Sequence, residues 1–180
     1  DVCIMKRQKL IELVEEADRN RFTSFAREVF KPKLSELKMF AYKVEGFAEV
    51  IDSYENYVNI SNKLLDKACR EQLFNRERPV YTKIKDDMPT RYGIDSVTQN
   101  SLIADGCVIE GTVKNSILFR GVKVGKNAVV ENCIVMQGGV IGENCEVKNV
   151  TMDKGADITD GVKINGTDTK YVFVPKDRTI

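Results

Sequence analysis

The chain has 180 residues, with 28 basic and 27 acidic side chains and a net charge of +1, so bulk electrostatics steer it toward neither nucleic acid nor a membrane surface. It has no histidine, and its five cysteines (Cys3, Cys69, Cys107, Cys133 and Cys145) form no CxxC pair. That spacing excludes the usual zinc and disulfide frameworks and predicts reduced thiols in a cytoplasmic protein.

The length suits one medium domain or two small ones. No apolar run approaches the roughly 20 residues of a membrane span, and no signal-peptide pattern is present. The first residue, Asp1, leads us to expect a fragment of a longer protein.

Residues 1 to about 80 alternate helical and strand patterns. Leu10, Ile11, Leu13, Val14 and Ala17 fall at helical spacing, opposite Glu12, Glu15, Glu16 and Asp18. A second helix is predicted from about Thr23 through Phe25, Val29 and Phe30, ending at Pro32. Lys38 to Val44 carries a strand pattern. Asp52-Ser53-Tyr54-Glu55 resembles a capping box, with Asp52 taking an orphan amide and Glu55 reaching back; a helix through Tyr57, Val58, Ser61, Leu64 and Leu65 follows. Pro79, Asp86-Asp87, Pro89 and Gly93 mark a connector, with a short strand predicted at Val80 to Ile84. These are too few strands for a complete sheet, so this part is expected to be the tail end of a larger α/β domain.

From Asn100 the chain repeats itself. Asn100-Ser101-Leu102-Ile103-Ala104-Asp105-Gly106 is echoed from Asn115, from Asn132 and, more loosely, from Asn149, at spacings of 15, 17 and 17 residues. A short fixed period marks a solenoid, whose turns bury their apolar faces only by stacking. A finer beat of five or six residues runs through Ile103, Ile109, Leu118, Val124, Val130, Met136, Ile141, Val147, Met152, Ile158 and Ile164, which are assigned to the interior. Gly and Asn between them suit corners of positive φ. Cys107, Ala128 and Cys145 are read as one small-residue core slot, which makes those cysteines packing residues and not nucleophiles. The pattern resembles the hexapeptide repeat of triangular prisms, which implies a left-handed parallel β-helix. Many such prisms are acyltransferases that use a histidine base, and a chain without histidine cannot do that chemistry by the usual route.

Larger blocks carry a second resemblance. Cys3-Ile4-Met5 before Leu10 to Leu13, Ala41-Tyr42-Lys43-Val44-Glu45-Gly46, Asp52 to Leu65, Pro79-Val80-Tyr81-Thr82, Pro89-Thr90 and the repeats from Asn100 to Gly161 are similar to the C-terminal part of bacterial ADP-glucose pyrophosphorylase (glucose-1-phosphate adenylyltransferase). The likeness is greatest to its divergent GlgD-type subunit. It implies the closing segment of a Rossmann-like nucleotidyltransferase domain over residues 1-78, with a strand at Cys3-Ile4-Met5, a linker at 79-93 and the left-handed β-helix at 94-180. It also implies that the nucleotide loop and the sugar-phosphate lysine motif lie upstream.

The family's remaining catalytic motif, Tyr-Trp-x-Asp-Val-Gly-Thr, falls on Phe47 to Ser53 and puts Val50 at the aspartate that holds Mg²⁺. Valine offers no oxygen ligand, and Glu49 is offset to the other face of a strand. The family's Asp-Phe-Gly is Ser24-Phe25-Ala26 here. No catalytic or metal residue, and no cofactor, is therefore assigned to this chain; Mg²⁺ is expected in the full catalytic partner. Met152-Asp153-Lys154-Gly155-Ala156 and Val172-Phe173-Val174-Pro175-Lys176 resemble segments whose lysines contact a phosphorylated effector, which implies Lys154 and Lys176 as effector ligands. The reading that follows is a non-catalytic or weakly catalytic regulatory subunit in glycogen synthesis, partnered by the catalytic subunit, by itself, or by both. The alternatives are an active sugar-1-phosphate nucleotidyltransferase with another metal-ligand arrangement, or a purely structural oligomerisation domain with Asp168 to Ile180 capping the open coil end.

Overall fold

The computed structural model describes residues 2–180, which divide into two compact units, 2–44 and 45–180. The first is a small helical assembly. Helix α1 (Arg7–Arg19) buries Leu13 and Ala17 from the predicted stripe, and both pack with Val29 of a π-helical stretch, Phe25–Phe30. Ser24 caps that stretch by accepting from the Arg27 amide at 3.4 Å, and Glu28 accepts from the amides of Thr23 and Ser24, each at 2.7 Å. The bonds from Ser24 and Thr23 favour the carboxylate and hold the Glu28 pKa below its usual value. Phe25 meets Phe30 edge to face at 5.3 Å, and Lys33 pairs with Glu16.

The strands expected at residues 3–5, 38–44 and 80–84 do not form; among the described residues no strand precedes Arg91. The reason is physical. An extended segment becomes a strand only when a neighbour takes its amides and carbonyls, and these segments find no such neighbour. Phe40 and Tyr42 consequently stand about nine-tenths exposed (90 and 89%). Among the described residues, the sheet expected of this region is thus not shown.

In the second unit, α2 (Tyr54–Lys63) begins one residue later than the capping box predicted. Ser53 is the cap, accepting from the Asn56 amide at 3.1 Å, while Asp52 takes the Asn56 side chain at 3.1 Å. A further helix that sequence reading missed, α3 (Lys67–Leu73), starts at Asp66, which accepts from the Cys69 amide at 3.0 Å. This bond holds the Asp66 carboxyl below its usual range.

From Arg91 the chain winds into a parallel β-solenoid with three faces. The first face stacks β1 (Arg91–Tyr92), β4 (Val108–Ile109), β7 (Lys123–Val124), β10 (Val140–Ile141) and β13 (Asp157–Ile158). The second stacks β2 (Val97–Gln99), β5 (Thr112–Lys114), β8 (Val129–Glu131), β11 (Glu146–Lys148) and β14 (Lys163–Asn165). The third stacks β3 (Leu102–Ile103), β6 (Ile117–Leu118), β9 (Ile134–Val135), β12 (Val150–Met152) and β15 (Val172–Val174). Every pairing is parallel and joins one rung to the next, giving four rises of about 4.8 Å, or about 19 Å in all.

The interior is a stack of aliphatic residues: Ile109, Leu118, Val124, Val130, Ile141, Val147, Met152 and Ile158 are all 0–1% exposed. One assignment shifts by a residue. Val135, not Met136, fills the core, because Val135 pairs in register with the buried Leu118 and Met152. The cysteines do not share one slot either. Cys107 lies in register with Val122 and Ala156 at one corner, Cys145 with Ala128 at a second, and Cys133 at the third.

Two departures break the 17-residue rhythm. The coil between Ile109 and Thr112 is two residues short, and Gly111 makes that possible: a Cβ there would strike the carbonyl of Ala128 and sit 2.7 Å from the carbonyl of Gly125. Between β14 and β15 the chain is longer, and the extra residues form a small antiparallel bridge, Thr167 to Lys170. Residues 172–174 then rejoin the stack, so the irregular part is shorter than the segment expected to depart from the repeat. Thr179 pairs with Asp157, adding a partial rung over β13.

The third face is covered. Its outward residues Ile134 and Thr151 are only 0 and 1% exposed, and α2 is fastened to the same face. Tyr54 packs edge to face on Phe173 at 5.8 Å, and Asn62 Nδ2 donates to the Tyr171 hydroxyl at 3.1 Å.

Candidate functional site

The corner between the third and first faces brings together residues far apart in sequence. Each coil turns there through a residue of positive φ: Gly106, Gly121, Gly138, Gly155 and finally Asp177, at +54°. The amide of each donates to the carbonyl of the preceding position one rung below. Gly121 donates to Asp105 at 3.2 Å, Gly138 to Arg120 at 3.0 Å, Gly155 to Gln137 at 3.0 Å and Asp177 to Lys154 at 3.0 Å. This ladder stacks Asp105, Arg120, Gln137, Lys154 and Lys176 in one column.

Lys154 and Lys176, the two residues singled out by sequence, therefore occupy adjacent rungs about 4.8 Å apart. Both are exposed. In water, two such charges repel by about 1 kcal/mol, a cost that a bound anion would offset. Acidic neighbours moderate the corner: Asp153 accepts from the Lys154 amide at 2.7 Å, and Asp177 lies 3.7 Å from the Lys176 ammonium. Arg120 is a third cation of the column, two rungs below Lys154. Sequence reading passed over it because only the register shows that it shares their corner.

The opposite corner, between the second and third faces, is built from Asn100, Asn115, Asn132 and Asn149, all at φ between +45 and +52°. Asn100 Nδ2 donates to Asn115 Oδ1 at 2.8 Å and Asn149 Nδ2 to the Gly166 carbonyl at 3.2 Å. Asn149 Oδ1 and Thr151 Oγ1 are buried without a partner among the described residues. Facing this corner, Arg70 uses Nη1 to bind the carbonyls of Leu64 and Leu65 at 2.7 and 2.6 Å, which closes α2 and orients the guanidinium. Between them lies a cleft of about 710 Å³.

Val50, at the position of the expected metal ligand, is 72% exposed, and its carbonyl accepts from Asn56 at 2.6 Å. The neighbouring Glu49 is paired with Lys63 of α2. Among the described residues no three carboxylates or thiols converge as a metal-binding group. Burial pushes the Cys133 thiol up to about 12 and that of Cys107 up as well, so neither is a nucleophile at neutral pH. No helix is long and apolar enough to cross a membrane.

This is a hexapeptide-repeat solenoid, and comparison with known proteins agrees: residues 84–172 match the family model described as "GlmU-like, C-terminal hexapeptide". The chain is 46% identical over 100 residues to a glycogen biosynthesis protein GlgD of Bacillus subtilis, covering 56% of this chain and 29% of that relative. It is 59% identical over 70 residues to a GlgD of Geobacillus stearothermophilus, covering 39 and 20%. A glucose-1-phosphate adenylyltransferase of the latter organism is 32% identical over 118 residues, covering 65 and 30%. The chain thus spans less than a third of the length of these relatives. Its sequence is similar to GlgD proteins over part of their length, in keeping with the motifs.

Proposed function

We propose that this chain is the assembly and control portion of a GlgD-type subunit of glucose-1-phosphate adenylyltransferase, serving glycogen synthesis in the cytoplasm. In that enzyme a catalytic partner, using Mg²⁺, joins ATP and glucose 1-phosphate into ADP-glucose and pyrophosphate. The observation that carries the regulatory reading is the stacking of Lys154 and Lys176 on adjacent rungs of one corner. Two ammonium groups at that spacing suit the oxygens of a phosphorylated effector. The absence of an oxygen ligand at Val50, with Glu49 held by Lys63, supports a subunit that modulates more than it catalyses. In this reading residues 1-78 close a nucleotidyltransferase domain, 79-93 form the connector, and the solenoid from 94 to 180 joins the subunit to its catalytic partner or to a second copy.

The test uses the full-length subunit, alone and mixed with the catalytic subunit. ADP-glucose formation is followed against added inorganic phosphate or a sugar phosphate. The expected result is little turnover alone and an effector-dependent rate in the mixture, blunted about tenfold in effector affinity by Lys154→Glu or Lys176→Glu. Robust turnover by the subunit alone, or an unchanged effector response in both variants, defeats the proposal.

A further inference from the structure

We propose that the pocket between α2 and the lengthened last coil is a binding site for a small organic cation of the alkylammonium or guanidinium class. The site is separate from the Lys154–Lys176 corner and does not rest on the role proposed for that corner.

One wall of the pocket is built by the coil that breaks the repeat. Thr151 pairs with Ile134, 17 residues earlier, but Val150 pairs with Val172, 22 residues later. The surplus of five residues is not needed to close a rung, since the other coils close without it. It folds instead into a tight reversal. Thr167 and Lys170 exchange backbone hydrogen bonds at 3.0 and 3.1 Å, and the Lys170 amide also donates to Thr167 Oγ1 at 3.0 Å. Asp168 and Thr169 thereby stand at a fixed tip, with Tyr171 just beyond its base. The first turns of α2 supply the other wall through Tyr54, Glu55 and Val58, the last of these 3% exposed. Together these residues line a pocket of about 300 Å³, at the lower end of the range for small-molecule sites.

The lining decides the ligand. It holds two carboxylates, Glu55 and Asp168, and two phenol rings, with no basic side chain. Neither carboxylate takes part in an ion pair among the described residues. The rings are held from behind: Tyr54 meets Phe173 edge to face at 5.8 Å, and the Tyr171 hydroxyl accepts from Asn62 at 3.1 Å. A ring face attracts an organic cation through its quadrupole, and the carboxylates add a full charge on either wall. An anion would meet two like charges. A hard metal ion needs six or more oxygens, and no three carboxylates or thiols converge as a metal-binding group among the described residues. A neutral ligand would leave both carboxylates without a counter-charge. Carboxylates on separate elements suit a cation with a charged group at each end, and such a ligand would tie α2 to the last coil.

The experiment titrates the full chain with agmatine, which carries a guanidinium at one end and an ammonium at the other. Sodium and magnesium chloride at matched ionic strength serve as comparisons, because salt alone screens exposed charges. Agmatine is expected to move the NMR signals of Tyr54, Asp168 and Tyr171 where the salts leave them in place, and to slow hydrogen exchange in α2. Asp168→Asn removes one charge from a tip whose fold is set by Thr167 and Lys170, so it should weaken binding about fivefold in a folded chain. Glu55→Gln should weaken it by a similar factor, and the two variants keep the question open to test if either one alone disturbs the fold. The proposal is overturned by an absence of agmatine shifts at the pocket, by equal shifts in the matched salts, or by unchanged affinity in both variants. Its failure leaves the effector reading standing, since that reading is tested by the rate of ADP-glucose formation.

Discussion

Single residues show how the solenoid uses side chains that elsewhere carry chemistry. Cys133 sits at the corner between the second and third faces, 1% exposed, its Sγ within 3.1 Å of the Glu131 carbonyl and 3.3 Å of that of Val147. Burial strips water from the charged thiolate and disfavours it, which is why its titration is pushed up to about 12. The linkage follows from the sign of that shift. Below the unfolded thiol's value near 9, both states hold the proton and the folded state keeps its full advantage. Between about 9 and 12 the unfolded chain sheds the proton first, so stability falls as pH rises. Tyr57 and Tyr171, also raised by burial, act in the same direction at higher pH. We expect the fall in melting temperature between about pH 9 and 12 to be shallower in Cys133→Ala than in the parent chain. At neutral pH a thiol reagent should label exposed Cys3 rapidly and leave Cys107, Cys133 and Cys145 unmodified. Equal slopes in the two proteins, or fast labelling of Cys133, would contradict the burial argument.

At the scale of elements, α2 is the piece whose docking matters most. Its cap at Ser53, the Tyr54–Phe173 ring contact and the Asn62–Tyr171 hydrogen bond fasten it across the third face. Tyr54→Ala should cost about 1 kcal/mol from the lost ring contact, and Ser53→Ala a similar amount from the lost cap. The diagnostic is where the damage lies. Hydrogen exchange should quicken in α2 while the coils stay protected, since each coil draws its bonds from its neighbours. Uniform loss of protection throughout residues 91–180 would show that α2 is integral to the stack.

The same scale shows what was legible in sequence. The helical spacing of α1, the corner asparagines and most of the interior column were legible as local patterns, although of the α1 stripe only Leu13 and Ala17 are buried while Leu10 and Val14 stay exposed. The strand patterns at 38–44 and 80–84 misled, because strand formation depends on a partner that a local pattern cannot reveal. Arg120 and the cleft were invisible for a related reason. Both arise from register and from the folding-back of α2 and α3, which no periodicity in the chain records. The ion-pair row of Glu131, Glu146, Lys148 and Lys163 on the second face was likewise unforeseen. It lowers the Glu146 acid and raises Lys148 through their mutual contact, but it lies in solvent and is a minor contributor to stability.

For the whole molecule, the repeating rungs mean that stability is a sum of similar coils and the interfaces between them. A cavity in a central rung should therefore weaken both of its interfaces, whereas the ends have one neighbour each. Ile141, 1% exposed in the fourth strand of the first face, is such a central position. Ile141→Ala should cost about 2–5 kcal/mol in urea unfolding. Removing Arg178 to Ile180 should cost less, since it takes away the bonds to Asp157 and Thr159 at one end and a turn bond to Pro175. The reverse order would mean that the terminal rung nucleates the stack.

The short coil at Gly111 and the long one before β15 also have a meaning that no single rung displays. A stack of identical 17-residue turns is nearly symmetric under translation: shifted by one rung, each strand would meet an almost equivalent neighbour, and misthreaded stacks would compete with the native one. One turn shortened by two residues and another lengthened by five act like the unequal teeth of a key. Any slip then places the small Gly111 against the wrong carbonyls and leaves the Tyr171 hydroxyl away from Asn62. The irregularities that disturb the repeat in sequence thereby make its threading unique.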